Sequence, residues 1–240
     1  MRDLTCSSFE AFARHHKTAG CPMIFENRTD AGRRLGEALR SYQGRSDVLV
    51  LALPRGGVPV GFEVAHALGA PLDVFVVRKL GTPGQEELAL GAVASGGTMV
   101  LNEDVVNTLG IPRSVIDYIA GRELLEVRRR EHEFRGNRPP LDVSVKAVIL
   151  VDDGLATGST MRAAVEALKV REPSRIIVAV PVAAAATCNR LRPEVDELVC
   201  LHAPEHFYAV GEWYRDFSQT GDEEVKELLD RAVSVQEHPA

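Results

Sequence analysis

Two adjacent carboxylates, Asp152 and Asp153, stand directly before a short loop of glycines and hydroxyl residues, 154–160. The apolar run before them, Val148–Val151, predicts a buried strand, and the periodic apolar residues after the loop predict a helix. Backbone N–H groups in such a loop and at a helix N-terminus bind anions. Carboxylates repel anions and suit sugar hydroxyls or a divalent cation. The segment therefore predicts a site for a ligand that carries a phosphate, hydroxyl groups and a metal ion.

This segment resembles the signature of the type I phosphoribosyltransferases, in which an apolar strand and an acid pair precede Thr-Gly-Ser-Thr and a helix. It lacks the Gly-Lys-Ser/Thr ending of a Walker P-loop and the G-x-G-x-x-G pattern. A plain strand-to-helix turn with two capping acids is the alternative, but such a turn needs neither two glycines nor three hydroxyl residues. The resemblance implies that the substrate is phosphoribosyl pyrophosphate (PRPP) bound with Mg²⁺.

The same resemblance assigns roles to individual residues. Asp152 and Asp153 are expected to be catalytic, because they would hold the ribose hydroxyls of PRPP, and to meet Mg²⁺ indirectly, through PRPP or water. The residues expected to bind the 5′-phosphate of PRPP are Ala156, Thr157, Gly158, Ser159 and Thr160.

Two further segments resemble the pyrophosphate-binding parts of this family. In the segment LVLALPRGGVPVG, Arg55 would supply a cation, while Gly56 and Gly57 would let the backbone approach the pyrophosphate closely. In VVRKLGTPGQEELALGAV, which resembles a strand end and a flexible loop that closes over the site, Lys79 matches a catalytic cation against pyrophosphate. Arg78 is assigned to the same subsite, although strand alternation would point its side chain the other way. Ordinary turns and solvated cations are the alternatives.

The segment PEHFYAVGEWYRDF, 204–217, concentrates aromatic residues in a chain with only 5% of them overall. By resemblance it would form part of the acceptor pocket through Phe207, Tyr208 and Trp213. A hydrophobic staple that ties the C-terminal helix to the sheet is the alternative.

Alternating strand and helix patterns predict an α/β fold with an open, mostly parallel twisted sheet flanked by helices. The resemblance adds a helical insertion and a small hood. Ligands of such sheets bind beyond the carboxyl ends of the strands, so the loops at 54–57, 78–84 and 152–160 should meet at one edge. The predicted strands are 48–53, 72–77, 147–151, 176–181 and 198–201, with a hairpin around Gly96-Gly97; the predicted helices begin near 27, 59, 112, 160 and 184, with one more at the C-terminus.

The chain is expected to comprise an N-terminal arm, 1–23, one phosphoribosyltransferase domain, 24–220, and a C-terminal helix and tail, 221–240. The helical insertion would span about 103–140. Family members are commonly dimers, which predicts a homodimer.

The charge and composition of the chain indicate which classes of binding partner are unfavourable. A formal charge of −6 argues against general nucleic-acid binding, and no apolar run approaches the ~20 residues that span a bilayer. Four widely spaced cysteines without a C-x-x-C pattern favour a reducing cytoplasm. The expected activity is transfer of phosphoribose to an unidentified acceptor, such as a nucleobase or another nitrogen nucleophile, with release of pyrophosphate. A PRPP-sensing regulatory protein, a degenerate phosphoribosyl-ligand binding domain and a hydrolase are the alternatives.

Overall fold

Five apolar segments form one parallel sheet in the computed structural model, which describes residues 23–82, 85–140 and 142–237. Their order across the sheet is β2-β1-β6-β7-β8, and every neighbouring pair is parallel. The strands are β1 (Val48–Ala52), β2 (Leu72–Val74), β3 (Val77–Thr82), β4 (Gln85–Ala94), β5 (Thr98–Leu101), β6 (Ala147–Val151), β7 (Arg175–Val182) and β8 (Glu197–His202). The helices are α1 (Arg28–Ala38), α2 (Gly57–Leu68), α3 (Glu103–Leu109), α4 (Arg113–Arg135), α5 (Ser159–Lys169), α6 (Ala185–Leu191) and α7 (Asp222–Glu237).

The continuous apolar strands are explained by helices on both faces of the sheet. Successive side chains of a strand alternate between faces. Val50 and Ile149 therefore join the core under α1, α2, α4 and α7, whereas Leu51 and Leu150 join the core under α5 and α6. The predicted α/β architecture with an open, parallel sheet is confirmed.

A second, antiparallel sheet with the order β3-β4-β5 stands beside the first. It corrects two predictions. The predicted strand 72–77 ends at Val74, and Val77 begins β3 in the other sheet; the predicted loop 78–84 is a strand as far as Thr82. A register shift between Leu80 and Gly81 lets β3 accommodate a glycine that the sequence pattern assigned to a loop. The hairpin around Gly96-Gly97 is confirmed.

The long helix predicted from residue 112 is present as α4, and α3 precedes it. A buried ion pair ties its last turn to the central sheet, because Arg135 Nε donates to Asp73 Oδ1 at 3.0 Å. At the other end of the chain, α1 begins after Asn27, whose side-chain oxygen caps the helix by accepting from the N–H of Asp30.

A short segment before α1 pairs with the aromatic segment after β8. Phe25 N–H donates to the carbonyl of Trp213, and Arg215 N–H donates to the carbonyl of Phe25, both at 2.8 Å. The two segments, 23–27 and 204–217, pack together over one end of the sheet, and we call them the hood. The predicted N-terminal arm, 1–23, lies outside the described part of the chain except for Met23, and the last three residues of the predicted tail lie outside it as well. In the described ranges no helix is long and apolar enough to cross a membrane.

Candidate active site

The acid pair lies where the sequence places it, at the carboxyl end of β6. Asp153 N–H donates to Asp152 Oδ1 at 2.9 Å, which holds the Asp152 carboxylate against the main chain of the same turn. Burial and the neighbouring charge of Asp153 raise the pKa of Asp152 well above its ordinary value. Burial also raises the pKa of Asp153, and the guanidinium of Arg28 opposes that rise. Two largely desolvated carboxylates side by side favour a ligand that brings hydroxyl donors or a cation.

The loop after the acids closes into the N-terminus of α5. Gly158 has a φ of +73°, a left-handed conformation that suits glycine, and it directs the chain into the helix. Thr157 Oγ1 and Ser159 Oγ lie 3.2 Å apart. The first N–H groups of α5 have no partner within the helix, as at every helix N-terminus, so this turn can bind an anion. Ala156 and Thr160 flank the same turn and are exposed to solvent.

The loop between β1 and α2 packs directly against the acid pair. A Cβ atom placed on Gly56 would lie 2.0 Å from Asp153 Oδ2, and one on Gly57 would lie 2.8 Å from the carbonyl oxygen of Val151. Only glycine allows this close approach. The side chain of Arg55 instead turns toward the start of α7, where its Nη1 lies 3.5 Å from a carboxylate oxygen of Asp222.

Of the two cations on β3, one reaches this group of loops and the other does not. Lys79 Nζ donates to Ser159 Oγ at 3.1 Å, which places the ammonium beside the anion-binding turn. Arg78 points to the opposite side of the strand, where its Nε donates to Glu123 of α4 at 2.7 Å. The assignment of Arg78 to the pyrophosphate subsite stays a prediction, and this side-chain direction, which follows from the alternation of β-strand side chains, does not support it.

A cavity of about 500 Å³ lies beside Lys79 and Ser159, between the antiparallel sheet and α5. Its size is within the range of small-molecule sites. It gives solvent and ligands access to the ammonium of Lys79 and to the first turn of α5.

The aromatic segment covers the acid turn from the other side. Tyr214 Oη donates to the carbonyl of Asp153 at 2.6 Å, and Val210 occupies the place where a Cβ on Gly154 would lie. The rings of Phe207 and Trp213 stack at 6.4 Å, and Trp213 lies 4.7 Å from the His202 ring.

The three residues predicted for the acceptor pocket differ in their surroundings. Tyr208 is 84% exposed, so it projects away from the stack that Phe207 and Trp213 form. Trp213 Nε1 is buried and finds no hydrogen-bond partner in the described part of the chain. The segment packs on the central sheet at Val182 and Leu201. Both the acceptor pocket and the alternative, a staple that ties the C-terminal helix to the sheet, stay predictions.

Three residues of the site were not anticipated as such. Arg28, at the start of α1, makes an ion pair with Asp153, and Tyr214 binds the acid turn. Thr187 Oγ1 donates to the carbonyl of Ala156 at 2.6 Å and so supports the loop from behind. Arg28 and Thr187 act across 125 and 31 residues of sequence, and no local pattern marks such pairs. Only Tyr214 carried a signal, because it belongs to the aromatic cluster.

Comparison with known proteins agrees with this geometry. The family model described as "Phosphoribosyl transferase domain" matches residues 23–217. A Mycobacterium tuberculosis protein named "Putative phosphoribosyl transferase Rv0571c" is 45% identical over 209 residues, which are 87% of this chain and 47% of that protein. The crystal structure of TT1426 from Thermus thermophilus superposes with a TM-score of 0.79 at 42% identity, covering 86% of this chain and 98% of that one. The chain belongs to the phosphoribosyl transferase domain family.

One further relative is more distant in sequence, and the mycobacterial relative is longer than this chain. "Bifunctional protein PyrR" of Chloroflexus aurantiacus is 33% identical over 129 residues, covering 52% of this chain and 65% of that protein. The chain spans about half the length of the mycobacterial relative.

Proposed function

We propose that the chain binds PRPP with Mg²⁺ at the carboxyl edge of the sheet and transfers its phosphoribosyl group to a nitrogen nucleophile, such as a nucleobase, with release of pyrophosphate. The observation that carries this proposal is one turn that holds two kinds of binding group. Asp152 and Asp153 stand at its start, and the N-terminus of α5 with Lys79 beside it stands at its end. A ligand with a sugar next to a phosphate satisfies both.

Each part of PRPP has a place in this arrangement. The ribose hydroxyls would donate to Asp152 and Asp153, and the 5′-phosphate would accept from the loop 156–160. The pyrophosphate would lie between the backbone of Gly56-Gly57 and the ammonium of Lys79. Arg55 can join it, because an exposed ion pair such as that with Asp222 is worth at most about 1 kcal/mol and a phosphate displaces it easily.

The reaction that follows needs little covalent chemistry from the protein. The lone pair of the acceptor nitrogen forms a bond to C1 of the ribose while the bond from C1 to the pyrophosphate oxygen breaks, and a proton carried by that nitrogen passes to water or to the released pyrophosphate. Positive charge grows on the sugar ring, next to Asp152 and Asp153, and negative charge grows on the leaving pyrophosphate, next to Lys79. Positioning and charge stabilisation of this kind account for most of the expected rate enhancement.

The donor set fits a magnesium ion that arrives with the substrate. In the described ranges no group of three or more His, Cys, Asp or Glu side chains could hold a metal ion without help. Mg²⁺ keeps several waters and takes one or two carboxylates together with substrate phosphates, which suits the pair Asp152 and Asp153. When bound, it would neutralise charge on the pyrophosphate.

The acceptor would bind at a different part of the site from PRPP. We place it on the side of the aromatic segment, where Phe207 and Trp213 offer a stack and Tyr208 an exposed ring. A planar nitrogen heterocycle would suit such a surface. We also propose a cytoplasmic location, which the free thiols of Cys188 and Cys200 favour, and a homodimer, for which the exposed Tyr118 and Leu125 of α4 offer an apolar face.

Isothermal titration with PRPP and Mg²⁺, followed by measurement of pyrophosphate release across a panel of nucleobases and amines, tests the proposal. Asp153→Asn should weaken PRPP binding at least tenfold, about 1.4 kcal/mol, because a carboxylate that accepts sugar hydroxyls becomes a neutral amide. Asp117→Asn, in an exposed ion pair of α4, is the matched control and should bind as the unaltered protein does.

Each outcome of this experiment selects one function. An unaltered protein that does not bind PRPP excludes the proposal. Binding without pyrophosphate release under any acceptor favours a PRPP sensor or a degenerate binding domain. Pyrophosphate release that needs no acceptor favours a hydrolase.

A further inference from the structure

One arginine, Arg28, lies where three parts of the chain meet at the acid pair. Its Nε and Nη2 both lie 2.8 Å from Asp153 Oδ2. Its Nη1 donates to the carbonyl of Ser218 at 2.7 Å, and its guanidinium lies over the Phe217 ring at 4.0 Å from the centroid. The side chain is only 12% exposed, and that of Asp153 14%. Each of the three nitrogens of this guanidinium thus has a defined partner.

The consequence for Asp153 is a fixed orientation. Two donors converge on Oδ2, so that oxygen faces Arg28 and the other carboxylate oxygen remains for a ligand. The main chain of the same residue is held independently, because Tyr214 Oη donates to its carbonyl at 2.6 Å. Gly56 closes the third side, where a Cβ would lie 3.3 Å from Arg28 Nε. Without the guanidinium, Asp153 would gain rotational freedom in a site whose function depends on its direction.

The surrounding contacts also separate this arginine from an ordinary helix cation. Arg33 of the same helix makes one ion pair, with Glu63, at 3.1 Å, and its side chain is 70% exposed. Arg28 instead joins α1, the acid turn and the segment after β8, which are distant in sequence. A residue that joins the hood to the sugar-binding acid affects both packing and orientation.

We propose that Arg28 is a positioning residue for PRPP: it holds Asp153 so that one carboxylate oxygen faces the ribose, and it couples this orientation to the 217–218 segment. The inference rests on the proposed function, since it assumes that Asp153 meets the ribose. Arg28 itself contacts no substrate in this arrangement and acts through Asp153.

Titration calorimetry of PRPP with Mg²⁺ on Arg28→Gln, Arg28→Lys and the control Arg33→Gln tests the inference. Arg28→Gln should weaken PRPP binding tenfold or more, because the amide cannot place two donors on Oδ2 and a third on Ser218. Arg28→Lys should fall between, since it restores the charge but not the geometry. Arg33→Gln should bind within twofold of the unaltered protein. Guanidinium chloride at low millimolar concentration, added to an Arg28→Ala variant, should restore part of the PRPP affinity.

The results separate this inference from the function that it assumes. If the unaltered protein binds PRPP and both folded Arg28 variants bind it within twofold, Arg28 does not position Asp153, although the proposed function stands. If Arg28→Gln does not fold, Arg28→Lys and the guanidinium rescue decide, and normal affinity of the lysine variant refutes the inference. If the unaltered protein does not bind PRPP, the proposed function fails first, and the role of Arg28 fails with it.

Discussion

Replacement of Gly56 by alanine is a steric probe of the candidate site that leaves its charges unchanged. The added Cβ would lie 2.0 Å from Asp153 Oδ2 and 2.7 Å from its Cγ, whereas ordinary van der Waals contact begins at 3.4 Å. The backbone of Gly56 has a φ of −58° and a ψ of −31°, which any residue adopts, so the substitution adds no backbone strain. The methyl group therefore acts mainly on the carboxylate of Asp153, and Arg28 Nε, at 3.3 Å, is the next atom that it meets.

The magnitude follows from how far that carboxylate must move. Its Oδ2 has to retreat by about 1.4 Å from the position in which the two nitrogens of Arg28 hold it. A misplacement of about 1 Å in a positioned site costs on the order of 100-fold in activity. We therefore expect PRPP affinity or turnover to fall about 100-fold. Overpacking of this kind also lowers the free energy of unfolding by about 1–3 kcal/mol, which leaves a protein of ordinary stability folded.

The assay combines calorimetric titration of PRPP and Mg²⁺ with urea unfolding. Gly121→Ala is the matched control, because a Cβ at Gly121, on the helix α4, meets nothing within 4 Å. It should bind PRPP normally and gain about 0.5–1 kcal/mol of stability, as alanine does in a helix interior. A folded Gly56→Ala protein with unaltered PRPP affinity would refute the reasoning, because the ribose could not then depend on where Asp153 lies.

Two further predictions concern the cation on β3 and the anchor of the long helix. Lys79→Gln should weaken PRPP binding by roughly tenfold or more, since a charge-assisted contact is worth about 1.5–3 kcal/mol. Arg78→Gln, at the neighbouring residue, should leave the calorimetric titration of PRPP unchanged. Equal losses of affinity in both variants would contradict the opposite directions of the two side chains. Arg135→Met should lower the free energy of unfolding, measured by urea titration, by about 3–5 kcal/mol, because it removes the guanidinium that pairs with the buried carboxylate of Asp73. A loss below about 1 kcal/mol would show that this ion pair does not anchor α4.

Much of the central sheet could be predicted because burial on both faces leaves a simple record in the sequence. Val48–Ala52 and Ala147–Val151 are uninterrupted apolar runs, and both are buried along their whole length. The acids after β6 were predictable for the same reason, because the end of such a strand fixes where the next side chains lie. These elements need no knowledge of the rest of the chain.

The antiparallel sheet was harder to predict because β3 and β5 are only partly buried and β3 carries residues that are typical of loops. In β3 the pair Arg78 and Lys79 precedes Leu80 and Gly81, a composition typical of a turn. Pairing with β4 overrides this local preference, and a register shift at Gly81 absorbs the misfit. The opposite directions of the two cations were nonetheless predictable from strand alternation.

The contact between Arg28 and Asp153 had no predictable signal, because the two residues are 125 positions apart and each has an ordinary local role. Arg28 looks like one of several cations of an amphipathic helix. Only the fold brings the start of α1 beneath the hood, against the end of β6. Long-range polar pairs of this kind are the part of a site that spacing and composition do not encode.

The arrangement of charge in the site explains why neither a free phosphate nor a free sugar should bind strongly. A phosphate at the N-terminus of α5 gains its N–H groups, yet it lies a few residues from two acids that repel it. A sugar without a phosphate can donate hydrogen bonds to the two acids, but it makes no contact with the N–H groups of α5. A ligand that joins both through one covalent frame gains both sets of contacts for a single loss of translational freedom. One oxygen of the Asp153 carboxylate is already paired with Arg28, so only the other oxygen is left to accept hydroxyl donors, and it accepts them from one direction. We therefore expect the turn from β6 to α5 to select for the linkage between sugar and phosphate more than for either group alone.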